Sequence, residues 1–277
     1  MLLLALDTST NQSSVALCSE DLVYGEQTWY SANNHSVELL CNIQRLLEAC
    51  NMTMQQLDAL AVATGPGSFN GVRVALAAAK SFAFVLHKPL VGISTLECVA
   101  SGQQMWRGPV CALLEAGRSE LYAACYRFKE VQDESGTLFF IAEQLGDYLL
   151  LAPQQLVTYL QEQAGIWPTA VGERYLPPLL FCGEISEASH RVLRSQLQER
   201  CFFADGISST RRASVVAMLA FQRLHAGKVQ DPLALEPLYL RRPSITKSTR
   251  KQPLLGGTTP QSTGNSTTER EEGALRH

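Results

Sequence analysis

Two short stretches of this chain hold groups that could do chemistry. They are Gly65-Pro66-Gly67-Ser68-Phe69-Asn70-Gly71-Val72-Arg73 and Asp7-Thr8-Ser9-Thr10. Glycines 65, 67 and 71 allow positive φ and close backbone approach. An apolar run over 57–64 precedes them, and an Ala-rich stretch over 74–86, free of Gly and Pro, follows. A strand therefore feeds a turn that opens a helix. The first amides of such a helix are unpaired and carry partial positive charge, which suits a phosphate or a carboxylate. The same turn equally serves as a tight strand-to-helix connection, because glycine spacing alone is a weak signal. Asp7 closes an apolar strand. Its carboxylate could work on a metal or a water, or it could cap its own turn by accepting local N–H groups.

The elements that position these groups follow from periodicity. Residues 2–6, 13–18 and 22–29 read as three strands with short connections, a β-meander. In the actin-like ATPase architecture such a first hairpin holds phosphates. Residues 35–50 read as an amphipathic helix, with Leu40, Ile43, Leu47 and Cys50 as a stripe widened by Leu39 and Leu46, and Glu38, Asn42 and Arg45 opposite. His35 has no second ligand at metal spacing, so capping or solvent contact is preferred. A strand over 88–93 after the Gly71 helix implies a parallel crossover, and Ser94 to Glu97 offer the start of another helix. A second meander covers 110–114, 120–128 and 138–145. Helices are expected over 153–163, 186–199 and 211–226, and a short strand over 169–172.

Two halves with similar opening plans predict a duplicated α/β fold: an N-terminal lobe at 1–108 and a C-terminal lobe at 109–243. Helix 211–226 is expected to pack back on the first lobe. Residues 244–277 change composition, rich in Gly, Ser, Thr and Pro, and are expected to be a disordered tail. With 277 residues and 46% hydrophobic content, the chain can bury a sizeable core. No membrane span or signal peptide is expected. The eight cysteines contain no C-x-x-C pair and read as reduced core thiols in a cytoplasmic protein. Residues 1–240 carry 16 Lys and Arg against 23 Asp and Glu, whereas 241–277 carry 7 against 3. An acidic body does not attract nucleic acid by itself, so any service to RNA is expected to run through partners.

Asp7-Thr8-Ser9-Thr10, the glycine turn, Gly92-Ile93-Ser94-Thr95-Leu96 and the closing Pro237-Leu238-Tyr239-Leu240-Arg241 together resemble the bacterial TsaB (YeaZ) family over about residues 1–242. The resemblance implies an actin/Hsp70-like (ASKHA) fold of two lobes with mixed sheets. It implies a part in making the N6-threonylcarbamoyl group on adenosine 37 of tRNAs that read ANN codons. The TsaB-like protein is there not the transferase but a dimer partner that scaffolds and activates its TsaD-like paralogue, with a TsaE-like ATPase as a further component. The paralogue's metal-binding His-x-x-x-His falls here on Thr95 and Val99, neither of which is such a ligand. The resemblance thus implies a non-catalytic chain with no metal. This chain departs from the family at Glu115-Ala116-Gly117, where Asp-Ala-Arg is usual, and at Asn70, where Thr is usual. Any ligand role for the second-lobe turn is therefore in doubt.

The family's partner surface is built from the first two helices, carried over here as 35–50 and 71–86. Leu39, Ile43, Leu46, Val72, Leu76 and Lys80 are expected as interface contacts, the rival being that all lie in the lobe's own core. Asp7, Thr8, Ser9, Gly65, Gly67 and Ser68 are expected as a vestigial nucleotide site. No cofactor is required on this reading, with ATP or ADP left open as a ligand. A homodimer of the free protein is also left open, tRNA is expected to be met only through the complex, and no membrane partner is expected. The competing functional class is an independent ASKHA-type ATPase or phosphotransferase that uses Asp7 and the glycine turn. A third reading, a metallopeptidase, would need retained zinc.

Overall fold

A computed structural model describes residues 1–31, 34–132, 136–163 and 178–241. Its elements are β1 (Leu3–Asp7), β2 (Gln12–Cys18), β3 (Val23–Tyr30), α1 (His35–Ala49), β4 (Ala59–Ala63), α2 (Phe69–Leu86), β5 (Leu90–Ile93) and α3 (Thr95–Ser101), then β6 (Val110–Glu115), β7 (Leu121–Gln132), β8 (Leu138–Leu151), α4 (Pro153–Glu162), β9 (Leu179–Glu184), α5 (Glu187–Leu197), β10 (Cys201–Phe203) and α6 (Ala213–His225). The order βββαβαβα occurs twice. The first sheet runs β3-β2-β1-β4-β5 and the second β8-β7-β6-β9-β10, the same arrangement repeated. Each pairs its first strand antiparallel to the second and parallel to the fourth. This is the expected two-lobed α/β fold with mixed sheets.

The central strands lie between helical layers, so both of their faces are apolar. In β1, Leu4 and Leu6 face one core with Leu39, Ile43, Leu46, Ala75, Leu76 and Ala79 of α1 and α2. Leu3 and Ala5 face the other, with Val216, Ala217, Ala220 and Phe221 of α6. Successive side chains alternate across the sheet, so one strand serves both layers. Helix α6 therefore lies on the first lobe's sheet although it follows the second lobe in sequence. Helix α3 makes the converse crossing, with Leu96, Val99 and Ala100 packed on Val110, Ala112 and Leu114 of β6. Helices α4 and α5 cover the second sheet's other face through Leu156, Leu160 and Leu193.

Several expectations change. On α1, Leu40 is exposed and Asn42 is buried, where Asn42 accepts a hydrogen bond from Gln27. The inward stripe is Leu39, Ile43, Leu46 and Leu47. His35 is buried and pairs through Nδ1 with Ser13 Oγ at 3.3 Å. Helix α2 starts at Phe69, with Ser68 as its N-cap, and its 18 residues are long and apolar enough to cross a membrane by length and composition. In this fold it instead lays Ala75, Ala79 and Ala83 on the first sheet. The β7–β8 hairpin extends well past the expected strand ends, with Gln132 paired to Leu138. Strands β9 and β10 had no expected counterpart. The strand expected at 169–172 and the tail expected at 244–277 lie outside the described residues.

Candidate functional site

The hairpin after β1 and the turn after β4 meet at the top of the first sheet. Asp7 Oδ1 accepts the Ser9 amide at 2.8 Å, a local Asx turn. The Ser9 carbonyl accepts the Ser68 amide at 2.6 Å. Thr8 Oγ1 donates to the Gly71 carbonyl at 2.6 Å. Thr95 Oγ1 accepts from the Gly65 amide at 3.1 Å and donates to Ser9 Oγ at 2.9 Å. The structure thus brings Asp7, Thr8, Ser9, Gly65, Gly67 and Ser68 together, with Asp7, Ser9 and Ser68 bonded in series, Thr8 and Gly65 tied to Gly71 and Thr95, and Gly67 packed on the Ser9 carbonyl. The glycines serve this closeness. A Cβ on Gly67 would lie 2.2 Å from the Ser9 carbonyl oxygen, and one on Gly71 2.0 Å from that of Thr8.

The residue that commands the site was not foreseen. Arg211 is buried, and its guanidinium bridges the lobes. Nη1 donates to Asp7 Oδ2 at 2.7 Å, Nε to Glu184 Oε1 at 3.0 Å, and Nη2 to the Gln12 carbonyl at 2.5 Å and to Thr10 Oγ1. Thr10 in turn donates to Glu184 at 2.8 Å. Burial works against the charged guanidinium, but Asp7 and Glu184 together outweigh it, and the pKa is raised. One sequence signal pointed here: Arg211 and Arg212 directly precede α6, where the helix dipole disfavours cations. Both have other partners, Arg212 pairing with Glu26 at 2.6 Å while the other Glu26 oxygen takes the Ser214 amide.

The second lobe repeats the device. Glu115 ends β6 as Asp7 ends β1, and it accepts Ser186 N at 2.7 Å and Ser189 Oγ at 2.8 Å at the start of α5. The departing Glu115-Ala116-Gly117 turn is therefore a structural clamp, with Gly117 at φ +70°. A C-terminal strap over residues 230–241 then crosses the ends of β4 and β5. Gln230 accepts the Gly92 amide at 2.8 Å, and Leu238 N donates to the Thr64 carbonyl at 2.8 Å. Tyr239 stacks on Phe69 at 5.3 Å, with the Arg73 guanidinium 5.0 Å from the Phe69 ring centre. Arg241 donates to the Ala116 carbonyl at 3.0 Å and pairs with Glu120.

The fit of a metal–nucleotide can be read from these contacts. Both Asp7 oxygens are engaged, the Gly65 and Ser68 amides are used internally, and the strap covers strand ends where α/β sheets commonly take ligands. The residues present do not fit that group. Among the described residues, no three His, Cys, Asp or Glu side chains gather as a metal site. Thr95 and Val99 are both buried.

The residues expected at the interface face inward or onto the strap. Leu39, Ile43, Leu46, Val72 and Leu76 are buried within the lobe itself, where the sheet-facing sides of α1 and α2 must go. Lys80 is tied to the strap, donating to the carbonyls of Leu233 at 3.2 Å and Leu235 at 3.0 Å. What the helix pair leaves open is Val37 and Leu40 on α1, 66% and 53% exposed, and Phe84 and Val85 on α2, 66% and 71% exposed.

Residues 29–247 match the family model described as TsaD, tRNA N6-adenosine threonylcarbamoyltransferase. The chain is 29% identical to the tRNA threonylcarbamoyladenosine biosynthesis protein TsaB of Bacillus subtilis, over 87% of this chain and 94% of that one. It is 29% identical to TsaB of Escherichia coli, over 87% and 95%. With TsaB of Haemophilus influenzae the identity is 34%, over 57% of this chain and 67% of the relative. The fold matches YeaZ from Pseudomonas aeruginosa with a TM-score of 0.65 at 22% identity, covering 86% of this chain and 99% of that structure. The sequence matches, and a fold whose two lobes repeat one strand order, agree: this chain belongs to the TsaB (YeaZ) family, within the wider family described as TsaD.

Proposed function

We propose that this chain is the activating scaffold of tRNA threonylcarbamoyladenosine synthesis, and that it dimerises with a TsaD-like transferase through the outward face of α1 and α2. A role in that synthesis goes with membership of the family. The observation that carries the dimer is the exposed apolar set Val37, Leu40, Phe84 and Val85. A monomer gains nothing by presenting such side chains on one helix pair, and a partner helix pair is their natural cover. The absence of transferase chemistry is supported by Thr95 and Val99, which stand where the resemblance puts the paralogue's histidine pair. On this reading the chain needs no cofactor and no metal of its own, and it works in the cytoplasm. It meets tRNA through the complex, alongside a TsaE-like ATPase.

Reconstitution tests this. The TsaD-like and TsaE-like proteins, tRNA and substrates are mixed with and without this chain, and modified adenosine is measured. Modification should require the chain, and the chain alone should transfer nothing. ATP turnover by the isolated chain that Asp7→Ala abolishes would overturn the scaffold reading in favour of an independent ATPase.

A further inference from the structure

Asp7 ends β1 in the first lobe and Glu184 ends β9 in the second. Two carboxylates drawn to one point repel unless a cation lies between them. Here the cation is part of the chain. The Arg211 fork places one nitrogen on each carboxylate, at 2.7 and 3.0 Å, and a third on Thr10 and the Gln12 carbonyl. The Arg211 and Asp7 side chains are each 1% exposed, so solvent screens their pairing little. A lysine could not repeat the arrangement, because an ammonium lacks the planar fork. We infer that Arg211 is a built-in counter-cation that holds the two strand-end carboxylates together across the lobes, so that this closed arrangement is the chain's resting state and needs no nucleotide. The inference rests on the cofactor-free reading above and supplies its physical cause.

The test uses the full-length protein. The wild-type melting temperature should not move when Mg·ATP is added. Arg211→Ala leaves the buried Asp7 carboxylate without its partner, so Tm should fall by about 10 °C. Hydrogen exchange should speed up at residues 8–12 and 184–189 while the centre of β6 stays protected. Methylguanidinium, well below denaturing concentrations, should restore both readouts, and methylammonium should not. Wild-type exchange and Tm in Arg211→Ala, or no rescue by methylguanidinium, would overturn the inference. So would a rise in wild-type Tm with Mg·ATP that Asp7→Asn removes. If Arg211→Ala does not fold, Asp7→Asn keeps the shape and loses the charge. It should speed exchange at the same residues to a smaller degree, and unchanged exchange there would count against the inference. Co-purification with the TsaD-like paralogue is scored separately. A chain that responds to Mg·ATP yet binds and activates the paralogue overturns only the cleft inference. A chain indifferent to Mg·ATP that fails to bind the paralogue overturns only the scaffold reading.

Discussion

At Gly71 a single methyl group separates two uses of a glycine turn. An added Cβ would sit 2.0 Å from the Thr8 carbonyl oxygen, so Gly71→Ala must move backbone. We expect a loss of about 3 kcal/mol or more in urea unfolding. Gly117 has positive φ but nothing within 4 Å of its would-be Cβ, so Gly117→Ala should cost only about 1 kcal/mol. The thiols give a second residue-scale prediction. Burial, with help from Glu26, pushes the Cys18 thiol up to about 12, and burial pushes Cys201 up to about 11. A raised folded pKa stabilises the fold below the unfolded value of 9.0, and that contribution fades as pH rises from there toward the folded values. Urea midpoints should therefore drop between pH 8 and pH 11, and Cys41, the exposed cysteine, should react first with a thiol reagent at pH 8.

At the scale of elements, the proposed dimer gives α1 and α2 two jobs each. Their inner residues hold the sheet, and Leu39→Ala should cost about 2–5 kcal/mol because Leu39 is wholly buried. Such a loss would also weaken partner binding, and so says little about an interface. Leu40→Arg and Phe84→Arg are cleaner. Both sites are exposed, so monomer Tm should stay within about 1–2 °C of wild type while co-purification with the TsaD-like paralogue is lost. Unaltered binding by both variants would sink the dimer proposal. The strap is an element that periodicity could not show. It is held by single contacts to different neighbours, among them Lys80 to the Leu233 and Leu235 carbonyls. Lys80→Met should loosen it, seen as faster amide exchange at Leu235 and Leu238, with the α1 core unaffected.

For the molecule as a whole, the duplication makes the two halves mutually dependent. Helix α6 completes the first lobe's core and α3 completes one face of the second. Neither half can bury its sheet alone, so separate expression of 1–108 and 109–242 should give aggregated or unfolded material by circular dichroism. The intact chain should unfold in one transition.

Much of this architecture was legible in the sequence because it is local. Apolar runs closed by turn residues mark β1 and β4 as strands buried on both faces, and a period of 3.6 marks α1 and α6. The glycine turn, the strand-end Asp7 and the closing Pro-Leu-Tyr-Leu-Arg segment were also visible as types and spacings. Which side of α1 faces inward was misjudged at Leu40 and Asn42, since a wide apolar stripe has no sharp edge and a buried Asn needs a partner, Gln27, that lies on strand β3. The meaning of the site lay beyond the sequence for the same reason. Asp7, Glu184 and Arg211 are separated by as many as 204 positions, and the charge of one cancels the chemistry offered by another only when the two lobes bring them together. The sequence determined that a carboxylate and a glycine turn would meet. Only the tertiary structure decided that a guanidinium would hold that carboxylate there.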